Sequence, residues 1–226
     1  MTDSTGPQEQ ALALYGHPFS SYTWKTLIPL YANGTPFEFR IVDADHPEHA
    51  AVVQNAGPSG KFPVLADGEH LIFEATTIIE YLALHHAGPE MLIPSDPDAA
   101  IGMRMLDRVF DNYVMNTMQV VVDEYIRDPK APNQDVIAQV REKLTRTYAW
   151  LEDWLQFYPA MGQVTLIECA AAPSLFYADW VHQIGDEFPR LKRWRAHLLA
   201  LPAVKRCVDD ARPFRKFFPL GAPDRD

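Results

Sequence analysis

The stretch Lys61-Phe62-Pro63-Val64-Leu65, followed by Phe73-Glu74-Ala75-Thr76-Thr77-Ile78-Ile79-Glu80-Tyr81-Leu82, decides the reading of the chain. Val64 and Leu65 favour a strand, yet a proline cannot donate a ladder hydrogen bond, so Pro63 does not belong inside an ordinary central strand. Two arrangements resolve the conflict: an edge position, or a cis Phe62–Pro63 bond. Phe62 then keeps its backbone N–H and C=O free for a peptide-like ligand. Some ten residues on, Glu74 opens an apolar helical stretch in which Ile78, Ile79 and Leu82 share a face. Its carboxylate stands beside helix-terminal N–H groups, and the two together suit a small zwitterionic peptide. The same residues also fit a plain edge strand and a capped helix.

Working outward, Ala11-Leu12-Ala13-Leu14-Tyr15 reads as a buried strand ending at Gly16. Pro18, Ser20 and Ser21 make a turn and a helix start; Trp24, Leu27, Ile28 and Tyr31 follow at helical spacing until Asn33-Gly34. Pro29 inside that helix must kink it or sit where a lost bond is tolerated. Phe37 to Ile41 alternates as a strand, 46–55 is a weak helix or irregular, and Pro63 to Ala66 forms a hairpin with Leu71 to Phe73 through an Asp67-Gly68 turn. With a helix over Ala75 to His86 the order is β-α-β-α-β-β-α.

Gly88-Pro89 and Pro94-Ser95-Asp96-Pro97 interrupt this pattern and mark a linker. Only helices follow. Met103, Leu106, Phe110, Tyr113 and Val120 predict one long helix to about Arg127. Val136, Val140, Leu144, Tyr148, Leu151 and Leu155 form an amphipathic stripe ended by Pro159. Thr165 to Glu168 fits a capping box, with Pro173 expected to bend the helix it opens, and Phe188-Pro189 opens a last helix stopped near Pro202. The expected division is a first domain over 11–89, an all-helical second domain over 96–220 and a loose tail over 1–10.

Bulk properties narrow the function. Thirty acidic residues against 20 Lys plus Arg give a formal charge of −10, which argues against a general nucleic-acid or anionic-membrane binder. Neither a signal peptide nor a membrane-spanning run is expected, so the sequence reads as a soluble cytoplasmic protein. Cys169 and Cys207 stand in unrelated contexts and form no disulfide or zinc pattern. His46 with His49, and His85-His86, lack Cys or acidic partners at ligand spacing, so no metal is expected.

Leu14-Tyr15 with Ser20-Ser21, Lys61 to Leu65, Glu74 with Ile78 to Leu82, and the Thr165 to Glu168 cap together resemble the cytosolic glutathione transferases. So do Phe188-Pro189-Arg190-Leu191 and Leu201-Pro202-Ala203-Val204 near the end of the chain. The likeness spans about residues 11–210 and rests on order and spacing rather than on one motif. It implies a thioredoxin-like N-terminal domain (α/β), an all-α helical-bundle C-terminal domain, a homodimer, and glutathione as cosubstrate. In such proteins the pre-proline backbone pairs with the cysteinyl unit of glutathione. That role falls on Phe62, with Pro63 cis. An acid followed by serine holds the γ-glutamyl end. Glu74 matches, but Ala75 stands in the serine's place, leaving a backbone N–H and the question of whether Thr76 or Thr77 compensates.

The thiolate, not the thiol, is the nucleophile. Lowering a thiol pKa by ~2 units requires stabilising the anion by roughly 3 kcal/mol. A hydroxyl hydrogen bond and a helix N-terminus supply contributions of that order. By resemblance Ser20 leads as the thiol partner, with Ser21 and then Tyr22 as alternatives; a plain N-cap role for Ser20 is the competing reading. Tyr113, with Met115 and Met118, is the candidate for an apolar electrophile pocket. Asp107, Arg108, Asp111, Asn112 and Tyr113 should face the first domain. The leading expectation is conjugation of glutathione to a small hydrophobic electrophile. A glutathione-dependent cis-trans isomerase of the maleylacetoacetate type and a non-catalytic ligand- or partner-binding protein are the alternatives.

Overall fold

The computed structural model describes residues 12–158 and 162–226. The tail over 1–10, the start of the first strand at Ala11 and the stop at Pro159 lie outside the described residues.

Four strands form one sheet in the order β2-β1-β3-β4. β1 (Leu12–Gly16) is buried along its whole length, as a strand covered on both faces must be, and it runs parallel to β2 (Phe37–Ile41). β3 (Val64–Asp67) is antiparallel to β1, with Leu14 opposite Leu65, and pairs with β4 (His70–Phe73). Asp67 pairs with His70, so the hairpin turns on Gly68-Glu69, one residue later than expected. Gly68 takes φ +59°, the conformation the first position of such a turn requires. The helices are α1 (Ser21–Ala32), crossing from β1 to β2, α2 (Pro47–Ala56) before β3, and α3 (Ala75–His85) after β4. Pro29 is accommodated within a continuous α1. This is the thioredoxin-like sheet that the family resemblance implies.

The edge alternative for Pro63 fails, because β3 lies between β1 and β4. The Phe62–Pro63 bond is cis, and Pro63 stands just ahead of the first ladder residue, where it needs no N–H.

The rest is helical. α4 (Pro97–Val109) begins at an Asp96 cap whose carboxylate accepts the Ala99 N–H. It runs into a π-helical turn (Phe110–Met115) and then α5 (Asn116–Arg127), so the single long helix expected here is interrupted. The buried residues Leu106, Phe110, Val114, Met118 and Val122 fall four apart, wider than the 3.6 of a regular helix, and the i→i+5 turn absorbs the drift. Tyr113 and Val120, expected on that stripe, are exposed instead. α6 (Gln134–Trp154) and α7 (Leu166–Val181) follow; α7 is buried throughout and opens with the expected capping box. α8 (Pro189–Ala200) is not the last helix. Pro202 opens α9 (Pro202–Ala211), since proline at the first helical position loses no intrahelical bond, and a 3-10 segment (Arg212–Phe217) ends the helical part.

One apolar core joins the sheet to the helices. Leu14, Leu65, Trp24, Ile78 and Ile79 merge with Phe110, Phe176, Leu191 and Val204, and α1 packs on α3, α7 and α9. A smaller cluster of Ala13, Tyr15, Val53 and Val64 lies under α2. No described helix is long and apolar enough to cross a membrane.

Candidate functional site

The turn after β1 is built to hold a hydroxyl in place. A Cβ on Gly16 would meet the Thr23 side chain at 2.6 Å, so only glycine allows α1 to start so close to the strand end. His17 Nδ1 accepts the Phe19 N–H at 3.1 Å, and burial holds its imidazole below the ordinary value, which keeps that acceptor neutral. Trp24 Nε1 donates to the Pro18 carbonyl at 2.6 Å, and the Tyr177 hydroxyl donates to the Phe19 carbonyl at 3.0 Å. The turn is therefore pinned from α1 and from α7. Ser20 follows as the N-cap of α1, accepting the Thr23 N–H at 3.3 Å. Its own proton finds no acceptor among the described residues, so capping leaves the hydroxyl able to donate.

Ser20, Ser21 and Tyr22 all border an apolar cavity of about 320 Å³ whose far walls are Met115 from the π turn and Met118, Val122 and Ile126 from α5. Tyr177 and the terminal Phe217-Phe218-Pro219 close it. Tyr113 does not reach it. It stands 59% exposed in a separate groove with Met105, Val109 and Trp150. The reason is the π turn, which sends Met115 toward Ser20 and Tyr113 outward. Of the three residues read as an apolar pocket, Met115 and Met118 meet there and Tyr113 does not.

A second, more polar cleft of about 360 Å³ lies beside Phe62, Pro63, Glu74 and Ala75. Tyr22 is a wall of both spaces. Its hydroxyl donates to Asn116 Oδ1 at 3.0 Å, and burial together with nearby Asp111 pushes its pKa up, so the phenol stays protonated. Neither backbone group of Phe62 is hydrogen-bonded within the protein among the described residues. At the start of α3 Glu74 holds φ +68°, a left-handed conformation rare for a residue with a side chain. Its exposed carboxylate caps nothing, contrary to the simplest expectation for an acid at that position.

Behind this cleft sits a buried polar cluster that sequence reading missed in part. Lys25 is 1% exposed and donates to both Asp111 carboxylate oxygens at 2.8 Å and to Thr76 Oγ1 at 3.0 Å. Its Nζ lies 2.5 Å from Asp107 Oδ1 at an angle too poor for a hydrogen bond, so charge alone holds that oxygen. Thr76 donates to Asp107 Oδ2 at 2.9 Å and is thereby turned away from the serine's task; Thr77 is exposed and makes no side-chain hydrogen bond among the described residues. Burial holds the Asp111 carboxyl above the ordinary carboxylate range even though Lys25 pulls it down. A lysine amid the apolar Trp24, Leu27 and Ile28 was the available signal for this cluster.

Cys169 and Cys207 are buried, and burial pushes both thiols well up, as packed core thiols behave. Among the described residues no group of three or more His, Cys, Asp or Glu could hold a metal ion.

Comparison with known proteins agrees with this arrangement. The family model described as the glutathione S-transferase N-terminal domain matches residues 14–90. Glutathione S-transferase F7 of Arabidopsis thaliana is 25% identical over 212 residues, covering 87% of this chain and 99% of that protein. The uncharacterised GST-like protein YibF of Escherichia coli is 32% identical over 145 residues, covering 64% of this chain and 70% of that protein. The crystal structure of glutathione transferase F2 from Populus trichocarpa shares the fold, with a TM-score of 0.76 at 19% identity over 89% of this chain and 99% of that one. The sheet with its cis-proline, the helical second half and these likenesses converge: the chain belongs to the glutathione S-transferase family.

Proposed function

We propose that this protein binds glutathione in the cleft beside Phe62 and transfers its thiolate to a small apolar electrophile held in the cavity under Ser20. One observation carries the reading: a polar cleft bordered by a free backbone edge shares the wall of Tyr22 with an apolar cavity. The Phe62 N–H and C=O pair with the cysteinyl unit, and Glu74 takes the ligand's ammonium group. The thiol then points to the α1 N-terminus, where the Ser20 hydroxyl donates to the sulfur. That bond favours the thiolate, as does the helix dipole, and no general base is needed. The thiol proton leaves to solvent, the sulfur forms a bond to the electrophilic carbon, and in a substitution the leaving group departs with its electron pair. Ser21 and Tyr22 border the same space and are the alternative donors. Met115, Met118, Val122 and Phe218 supply the apolar walls.

On this reading residues 11–89 form the glutathione-binding part and 96–220 the electrophile-binding part of a cytoplasmic detoxification enzyme. The outer groove of about 560 Å³ with Met105, Val109, Tyr113 and Trp150 is the face of a homodimer, because an exposed apolar groove of this kind calls for a cover. Sedimentation of the purified chain at micromolar concentration tests the dimer.

The activity test is conjugation of glutathione to a chloronitrobenzene or isothiocyanate acceptor. Ser20→Ala should lower kcat/KM by roughly 10- to 100-fold, the worth of a hydrogen bond to an anion. Unchanged rates in both Ser20→Ala and Ser21→Ala rule out the serine mechanism. Turnover of a cis-enediol-ketone acid without net glutathione use makes the protein an isomerase instead. No calorimetric binding of glutathione at millimolar concentration leaves the non-catalytic reading.

A further inference from the structure

Ala75 deprives the start of α3 of a hydroxyl, and Thr76 is committed to the buried cluster. The backbone N–H groups of Ala75, Thr76 and Thr77 have no acceptor among the described residues. An anion bound there by backbone groups alone would have no charged partner. Arg108, from α4 across the cleft, stands within reach of this helix start. Its Nη2 bonds Thr76 Oγ1 in the first turn of α3 and donates to Asp111 Oδ2 at 2.7 Å, while Nε donates to Asp107 Oδ2 at 2.9 Å. These bonds orient the guanidinium and leave Nη1 unpartnered among the described residues. The side chain is half exposed (49%) and forms part of the cleft wall with Glu74 and Ala75.

We propose that Arg108 is the carboxylate-binding residue of this cleft, donating from Nη1 to the free α-carboxylate of the peptide ligand in place of the hydroxyl that Ala75 lacks. The inference rests on the glutathione reading above and adds the group that fixes the ligand's amino-acid end. Of the charged residues in the cleft wall, Lys61 and Glu74 make no ion pair among the described residues, whereas Arg108 and Lys25 together balance Asp107 and Asp111, so Arg108 offers its free Nη1 donor rather than an unmatched charge. Arg108 also bonds both Asp107 and Asp111, so ligand held by it is tied through the cluster to Lys25 on α1 and Thr76 on α3.

The test compares ligands that differ in one group. Calorimetry on the full chain uses glutathione, 4-aminobutyryl-cysteinyl-glycine, which lacks the α-carboxylate, and glutaryl-cysteinyl-glycine, which lacks the ammonium. Arg108→Gln should raise the Kd for glutathione and for the glutaryl peptide by roughly tenfold or more and leave that of the aminobutyryl peptide unchanged. A purely structural role for Arg108 would weaken all three alike, and that result overturns the proposal, as does an unchanged Kd for glutathione. Arg108→Lys keeps a cation for Asp107 and Asp111 but has no second nitrogen arm, so it carries the same comparison if the glutamine variant fails to fold. Failure of the wild-type chain to bind glutathione at all overturns the functional reading and this inference with it. Binding by the wild type that Arg108→Gln leaves intact overturns the inference alone.

Discussion

The starts of α8 and α3 each lie beside a glutamate and treat it in opposite ways. At the start of α8, Glu152 reaches over from α6, accepts the Arg190 and Leu191 N–H groups at 2.9 Å through Oε2, and pairs with the Arg190 guanidinium. Its side chain is nearly buried. At the start of α3, Glu74 is next to the same kind of unpaired N–H groups, bonds none of them and faces solvent in a disfavoured backbone conformation. The first helix start is closed by the protein itself. The second is open, and its φ keeps the carboxylate out of capping position. An uncapped helix start leaves its N–H groups to solvent or to a ligand, and on the reading proposed above the open end of α3 is where glutathione binds.

If α3 is held by the buried cluster rather than by a cap, breaking the cluster must hurt most. Lys25→Met leaves Asp107 and Asp111 buried without their cation, and we expect a loss of about 3–5 kcal/mol in urea unfolding. A loss below about 1 kcal/mol would mean that α3 is anchored by its apolar face alone. At the closed end, Glu152→Ala orphans the first N–H groups of α8 and should cost about 2–3 kcal/mol by the same measurement.

The closed end should also be acid-sensitive. Burial would raise the Glu152 carboxyl, but the Leu191 and Arg190 N–H groups and the Arg190 guanidinium outweigh it and hold it below its ordinary value of 4.5. A depressed folded value means the unfolded chain takes up the proton more readily. This stabilisation is therefore complete above pH 4.5 and lost as pH falls through the folded value. Glu152→Gln should remove that part of the acid sensitivity, read as a smaller drop in urea midpoint between neutral and acid pH. Smallest of all is the stability effect at the open end. Glu74→Gln should leave the unfolding free energy within about 0.5 kcal/mol while weakening glutathione binding in calorimetry. A large stability loss there would erase the contrast between the two helix starts.

Much of the fold was legible because its signals are local. The alternation in Phe37 to Ile41, the Thr165 to Glu168 box and the Pro63 conflict each depend on residues close in sequence. The errors arose where a distant partner changed a local preference. The π turn at Phe110–Met115 is such a case: helical spacing placed Tyr113 inward, and packing of α4 and α5 on α7 moved it out. Pro202 was read as a stop because proline ends helices, yet it starts α9 equally well, and only what precedes it in space decides. The candidate site divides the same way. Ser20, Phe62 and Glu74 are candidates that nearby residues single out and to which the family resemblance lends a role. Lys25, Arg108 and Asn116 take their meaning from contacts between elements dozens of residues apart.

The sequence by itself determined the succession of strands and helices in the first part of the chain, the cis-proline conflict, the serine at a helix tip and the acid at another, because backbone sterics and capping chemistry act over a few residues. The tertiary structure alone decided which of these ends is closed and which is open, where Tyr113 faces, and that a lysine is buried between two aspartates. Those outcomes depend on the burial of charge, and burial is set only when α1, α3 and α4 come together around one core.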